Sequence, residues 1–307
     1  MKSSRYQWFR AALQLDGSVI IEVMPRVIVC GLFGIVISFL YSQKWQVSLP
    51  FLSTVIPNIV LGLLLVFRTN TAYDRFWEGR RVWGVLVNSI RNMTRQMLCS
   101  ITELNPMDRA NKVRHVHLLA AFVISTKLKL RHEPIGDELR PFLSAVQYQK
   151  LQTMNNPPLE IAFWLSAYLQ QQFQNGLIRS VNLNIIMLRL NDCVDALGAC
   201  ERIQRTPIPL AYSIHLKQLL LIYCLSLPFQ LVGQLGWFTG LVVALISFTL
   251  LGVEEIGLQI EDPFGRDAND LPLDLICQTM IRNMEDLISI SADPSLSEPE
   301  ITHGELH

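Results

Sequence analysis

The chain has 307 residues, of which 50% are hydrophobic and only 17% are charged, and its mean hydropathy is +0.29. Soluble domains carry about 25% charged residues, so this composition indicates a membrane protein. The 26 Lys and Arg residues balance the 26 Asp and Glu residues, which leaves no basic surplus for nucleic acid as a partner. The six cysteines form no Cys-x-x-Cys pair, which argues against a disulfide framework or a zinc knuckle and for buried free thiols.

Four apolar segments predict four transmembrane helices arranged as two hairpins. No Asp, Glu, Lys or Arg occurs in Val27–Gln43 or in Trp45–Phe67, and about 20 apolar helical residues cross a bilayer. The uncharged run Gln218–Val253 is interrupted at Gly233–Gly236, which predicts two further spans joined by a turn. The predicted organisation is an N-terminal segment 1–23, spans one and two within 24–67, a middle region 68–209, spans three and four within 210–258, and a C-terminal segment 259–307.

The remaining sequence predicts an all-α protein with long cytosolic helices. The short turns inside the two hairpins are poor in Lys and Arg, whereas basic residues flank the other span ends, so both termini and the middle region are expected on the cytoplasmic side. Apolar residues recur at helical spacing through the middle region, and the end from Ser291 onwards is expected to be disordered. The chain carries no nucleophile-elbow, Walker, zinc-protease or dinucleotide motif, so no enzyme is predicted.

Three motifs stand around the predicted spans, and together they resemble the bestrophin family. They are the run Phe67–Gly84, dense in arginine, acidic and aromatic side chains, then Thr206–Pro209 before span three, then Glu261–Gly265 with Asn269–Leu273 after span four. The likeness covers about residues 5 to 285 and is closest to the bacterial and thylakoid branch. It implies a homopentamer around one central pore lined by the second span, with membrane lipids and permeant anions as further partners.

The second span carries the predicted pore neck. Val55, Ile59 and Leu63 are spaced by four residues, so they lie on one face of a helix, and five copies would form three stacked apolar rings. Spacing alone favours an ordinary helix-packing face, whereas the resemblance implies a hydrophobic neck that gates by dewetting. The rings bear no charge, so selectivity must come from neutral groups such as the amide of Asn58.

The segment before span three corresponds to the cytosolic aperture of the family. Pro207 and Pro209 cannot continue a regular helix and force an extended kink. The resemblance implies that Ile208 or Thr206 faces the pore axis, and the sequence leaves the choice between them open. Without the resemblance, a simple helix breaker at the membrane surface is the alternative.

The loop after span four gathers oxygen ligands in a turn, as a hard cation such as calcium requires. In animal members of the family the matching loop binds calcium. The matching positions here are Gln259, the carbonyl of Asp262, Asp267 and Asp270. Arg266 and Ala268 replace acids of the animal loop, and no N-terminal carbonyl is identifiable to complete the site. We therefore expect this loop to bind calcium weakly or to serve only as a structural cap. No other cofactor is expected.

The resulting functional expectation is a passive channel for small monovalent anions, chloride first, with bicarbonate and nitrate as further candidates. A sodium-type cation channel of the same fold is an alternative because the neutral neck does not decide the sign of the ion. A secondary transporter would need an intramembrane binding site, and a membrane-anchored scaffold is a further class. The expected location is a bacterial plasma membrane or a thylakoid membrane.

Overall fold

The computed structural model describes residues 13–14, 17–49 and 55–292, without the side chains of Val55 and Ile56. Within these residues all regular structure is helical, and no strand occurs, so the all-α prediction is confirmed. The predicted disordered end lies, from residue 293 onwards, outside the described residues. The α-helices of the described ranges are α1 (Ile20–Ser42), α2 (Val55–Ser100), α3 (Pro106–Leu130), α4 (Ala145–Gln152), α5 (Pro157–Gln174), α6 (Ser180–Arg205), α7 (Leu210–Leu235), α8 (Thr239–Glu261) and α9 (Leu273–Ile290).

The chain divides into two compact units. The first draws its described residues from the ranges 1–78 and 206–270, and the second draws them from the ranges 79–205 and 271–307. Helix α2 contributes to both units, because the border between residues 78 and 79 falls within it. The helix also continues without a break through residue 67, where the sequence predicts the end of span two. The membrane borders themselves therefore stay predictions.

In the first unit, α1 packs against α8 and α7. Among the described residues, two helical segments are long and apolar enough to cross a membrane, namely Ile20–Ser42 and Leu210–Glu261, which contains both α7 and α8. These two helices are separated by a short 3-10 turn that begins at Gly236, whose φ of +53° is a conformation that favours glycine. The Ser38 hydroxyl of α1 donates to the Gly236 carbonyl at 3.0 Å, which attaches α1 to this turn.

The first part of α2 is held against α7. Leu61 and Leu65 are buried in one apolar cluster with Leu216 and Leu220, and they lie on one face of α2 because they are four residues apart. At the edge of this cluster, the hydroxyl of Tyr212 donates to the backbone carbonyl of Leu64 at 2.7 Å. One face of the predicted pore helix is therefore fixed by packing within the chain.

The second unit is built around α3, which packs against α5, α6 and α9. Its middle is buried on all sides, from Leu118 to Leu128. Two buried lysines are fully engaged: Lys112 donates to the carbonyls of Leu98 and Ile101, both at 2.9 Å, and Lys127 bonds Asp274 of α9 at 2.8 Å. Lys112 thereby satisfies carbonyls at and beyond the C-terminal turn of α2, which otherwise lack helical partners.

Candidate functional site

An exposed apolar stripe runs along α2 opposite its buried face. Ile59 is 63% exposed and Leu63 is 52% exposed. The stripe continues one turn further than predicted, because Phe67 is 55% exposed at the next position in the same spacing of four. The side chain of Val55, the remaining predicted neck residue, lies outside the described residues. Phe67 escapes the sequence prediction because it also opens the charged motif that follows, although its spacing could have revealed it.

The amide of Asn58 lies beside this stripe. Asn58 is exposed, as are its neighbours Pro57 and Ile59. An exposed amide can offer N–H donors to an anion or its carbonyl oxygen to a cation. The structure thus leaves Asn58 accessible at the predicted neck and does not decide which of its two faces meets an ion.

The segment Thr206–Pro209 is held by side chains of α2 and α8. The Arg75 guanidinium donates to the carbonyl of Thr206 and, at 3.1 Å, to the carbonyl of Glu261. The Glu261 carboxylate in turn accepts the backbone N–H of Ile208 at 3.0 Å. Three motifs far apart in the sequence therefore meet at Glu261, a connection that the sequence prediction missed.

Arg68 strengthens this arrangement from within the first unit. Its side chain is 1% exposed, and its Nη2 atom lies 3.3 Å from the Glu261 carboxylate. Gly257 of α8 packs against it, since an added Cβ there would meet Arg68 Nε at 3.5 Å. Removing one partner of a buried ion pair strongly destabilises a protein, so Glu261 is a structural centre for the segment Thr206–Pro209.

The two aperture candidates differ in exposure. Ile208 is 8% exposed, whereas the side chain of Thr206 is exposed. In the single chain, Thr206 is therefore the residue of the two that is available to line a passage. The assignment of the aperture to either residue stays a prediction.

Two carboxylates of the loop predicted to bind calcium accept backbone hydrogen bonds inside the loop itself. Asp262 Oδ1 accepts the N–H of Phe264 at 3.2 Å, and Asp270 Oδ2 accepts the N–H of Asp267 at 2.7 Å. The completely buried ring of Phe264 anchors the turn. These bonds are typical of a self-capping loop, in which short acidic side chains satisfy nearby backbone donors.

A further contact joins this loop to the N-terminal segment. The Asn269 amide donates to the Gln259 side-chain oxygen at 2.7 Å and to the carbonyl of Gly17 at 3.2 Å. Within the described residues, no three His, Cys, Asp or Glu side chains come together as a metal site. Whether this loop binds calcium or only caps the turn stays a prediction, and a carbonyl from the N-terminal segment, which the sequence prediction missed, does reach the loop.

Comparison with known proteins identifies the family. A family model described as "Bacterial/Fungal Bestrophin protein" matches residues 1–286. The chain is 59% identical, over 95% of both chains, to a voltage-dependent anion channel-forming protein of Nostoc, and 50% identical, over 92% of both, to one of Synechocystis. A crystal structure of a bacterial bestrophin homologue from Klebsiella pneumoniae matches with a TM-score of 0.78 at 29% identity, covering 88% of this chain and 98% of that one.

These matches extend over both compact units and over all three motifs that carry the predicted resemblance. Together with the long apolar helical segments, they indicate an integral membrane protein that acts as a channel and not as an enzyme. The chain belongs to the bestrophin family.

Proposed function

We propose that five copies of this chain form a passive channel that conducts small monovalent anions, with chloride as the principal ion and bicarbonate or nitrate as further candidates. The observation that carries the proposal is the exposed stripe of Ile59, Leu63 and Phe67 on α2. One face of this helix is buried within the chain, and the exposed stripe on the opposite face supports a position at the axis of an assembly. The names of the Nostoc and Synechocystis relatives support an anion as the conducted ion.

The stripe suits a hydrophobic neck for a physical reason. An uncharged ring of branched and aromatic side chains cannot replace the water that an ion loses on entering it. A narrow constriction of this kind is therefore an energy barrier to ion passage, and the barrier falls when the ring widens or fills with water. On the same helix the polar residues Asn70, Thr71 and Asp74 follow Phe67 and are exposed. The proposed passage therefore changes from apolar to polar along one continuous helix.

The proposed arrangement places α1, the first part of α2, α7 and α8 in the membrane, with both termini on the cytoplasmic side. The positive-inside distribution of Lys and Arg supports this orientation. A bacterial plasma membrane and a thylakoid membrane are both compatible with relatives from cyanobacteria and enterobacteria. The segment Thr206–Pro209 then forms a second narrow point on the cytoplasmic side.

Single-channel recording in planar bilayers tests this neck. Replacing Val55, Ile59 and Leu63 together by Ala should raise the conductance or the open probability, because every ring loses branched apolar volume five times over. Val60→Ala is the matched control, since Val60 is also exposed but lies beside the stripe, and it should leave the currents unchanged. Equal currents in the triple variant and the control would place the gate elsewhere.

A further inference from the structure

A groove opens on the first unit between α1 and α7, and α8 contributes its inner wall. Its volume is about 490 Å³, within the range of about 300–1,000 Å³ that is common for small-molecule sites. Val29, Leu221 and Leu225 give it an exposed apolar lining. Arg26 and Lys217 line the end of the groove nearer to the start of α1 and α7. One end is thus charged and the rest is apolar, as in a site for an amphiphile.

The charged end contains a carboxylate whose hydrogen bonding is incomplete. Glu254 of α8 is 1% exposed, and its Oε2 atom lies 3.6 Å from Arg26. Its Oε1 atom is buried and accepts no hydrogen bond from the described residues. A buried oxygen of this kind is costly, and an ionisable group between apolar membrane helices indicates a functional site. Glu254 therefore has an acceptor atom that no donor among the described residues fills.

A cation without a hydrogen-bonded partner stands at the same end. Arg26 is engaged, because it forms an ion pair with Glu255 as well as with Glu254. Lys217 is exposed and, among the described residues, forms no hydrogen bond and no ion pair within 4 Å, although its charge acts on Glu254. The groove therefore presents an ammonium and a carboxylate oxygen that lack hydrogen-bond partners among the described residues, next to an apolar lining.

We propose that this groove binds a phospholipid with a primary ammonium headgroup, that is, phosphatidylethanolamine. The lipid phosphate accepts from Lys217, the lipid ammonium donates to Glu254 Oε1, and one acyl chain lies along Val29, Leu221 and Leu225. Basic pockets between transmembrane helices are known sites for lipid headgroups. Phosphatidylcholine has the same phosphate but no N–H donor for Glu254, and phosphatidylglycerol brings no cation. The proposal does not depend on which ion the channel conducts.

Native mass spectrometry of the purified assembly in detergent, with each of the three lipids added in turn, tests the proposal. Phosphatidylethanolamine should bind about tenfold more tightly than phosphatidylcholine, as expected for one added charge-assisted hydrogen bond. Lys217→Gln should weaken the binding of both lipids by about the same factor, because it removes the contact to the shared phosphate. Glu254→Gln should remove most of the preference between them.

Two tryptophan variants separate the groove from its surroundings. Val29→Trp fills the apolar part and should abolish the bound lipid, whereas Ile28→Trp, at an exposed neighbour on α1 that does not line the groove, should retain it. If Glu254→Gln does not fold, Lys217→Gln and Val29→Trp still decide, since both positions are exposed. Equal binding of the three lipids, tightest binding of phosphatidylglycerol, an assembly that binds no lipid, or binding that survives Val29→Trp would each overturn the proposal.

Discussion

The crossing of α1 and α8 in the first unit depends on glycine, which predicts a sharp sensitivity to single methyl groups. Helix α1 presents Gly31 and Gly34 to Gly240 of α8. An added Cβ on Gly34 would lie 2.8 Å from the Cα atom of Gly240, and one on Gly240 would lie 2.9 Å from the carbonyl oxygen of Gly31. Both contacts involve backbone atoms, so no side-chain rotation relieves them. Gly34→Ala and Gly240→Ala should each push the two helices apart.

The expected cost follows from these distances. Carbon atoms pack best at about 3.5–4.0 Å, so the helices must separate by about 0.7 Å or more to accept the methyl group that Gly34→Ala adds. Overpacking of this kind costs about 1–3 kcal/mol. In a membrane no hydrophobic driving force compensates for the lost contacts between the two helices, because helix association there depends on close packing of small residues. The double variant should cost less than the sum, since one separation accommodates both methyl groups.

Gly252→Ala is the matched control for this prediction. Gly252 lies in the same helix as Gly240, but an added Cβ there meets no atom within 4 Å. Alanine should therefore leave the stability unchanged or raise it by up to about 1 kcal/mol through helix propensity. Thermal unfolding of the detergent-purified protein, followed by helical circular dichroism, gives the comparison. If Gly34→Ala and Gly240→Ala have the same melting temperature as Gly252→Ala, the account of this crossing is wrong.

Further predictions concern the neck, the loop, the second unit and the assembly. Asn58→Ala should shift anion permeability ratios modestly in bilayer recordings without abolishing current, because the amide places a neutral polar group beside the apolar stripe; loss of all current would contradict this. Asp267→Ala with Asp270→Ala should lower the unfolding temperature more than it changes any calcium response, and activation by submicromolar calcium that this pair abolishes would refute the cap. Burial alone raises the pKa of Asp274, but hydrogen bonds from Lys127 and Arg131 lower it to about 2. The stability that Asp274 contributes should therefore be present above about pH 4 and lost towards pH 2. Asp274→Asn should flatten the melting temperature over that window and lower the stability at neutral pH, because the buried side chains of Lys127 and Arg131 lose a charged partner. Native mass spectrometry should give five subunits, and a stable monomer or dimer would exclude the pore.

The helical framework could be predicted from the sequence because its signals are local. Helix α1 overlaps the apolar run Val27–Gln43, helices α7 and α8 overlap the run Gln218–Val253, and the glycines near residue 236 mark the turn between the last two. The end of α2 could not be predicted in the same way. Charge density after Phe67 indicates where lipid contact ends, but the backbone remains helical to Ser100, because charged residues do not interrupt a helix.

The candidate site was predicted only as separate motifs. Nothing local shows that Arg75, Thr206 and Glu261 meet, since this contact depends on how α2 and α8 converge. For the same reason the sequence does not choose between Thr206 and Ile208. The Ile208 N–H donates to Glu261, and the Ile208 side chain is buried. Both facts depend on the tertiary structure and leave no signal in the local sequence.

The reversal potential of the purified channel in a planar bilayer under a potassium chloride gradient tests the central claim most directly. A passive anion channel predicts a reversal potential close to the equilibrium potential of chloride, with little change when potassium is replaced by a larger cation. A reversal potential close to that of potassium would show a cation channel of the same fold. The absence of current in both conditions would contradict a channel formed by this chain.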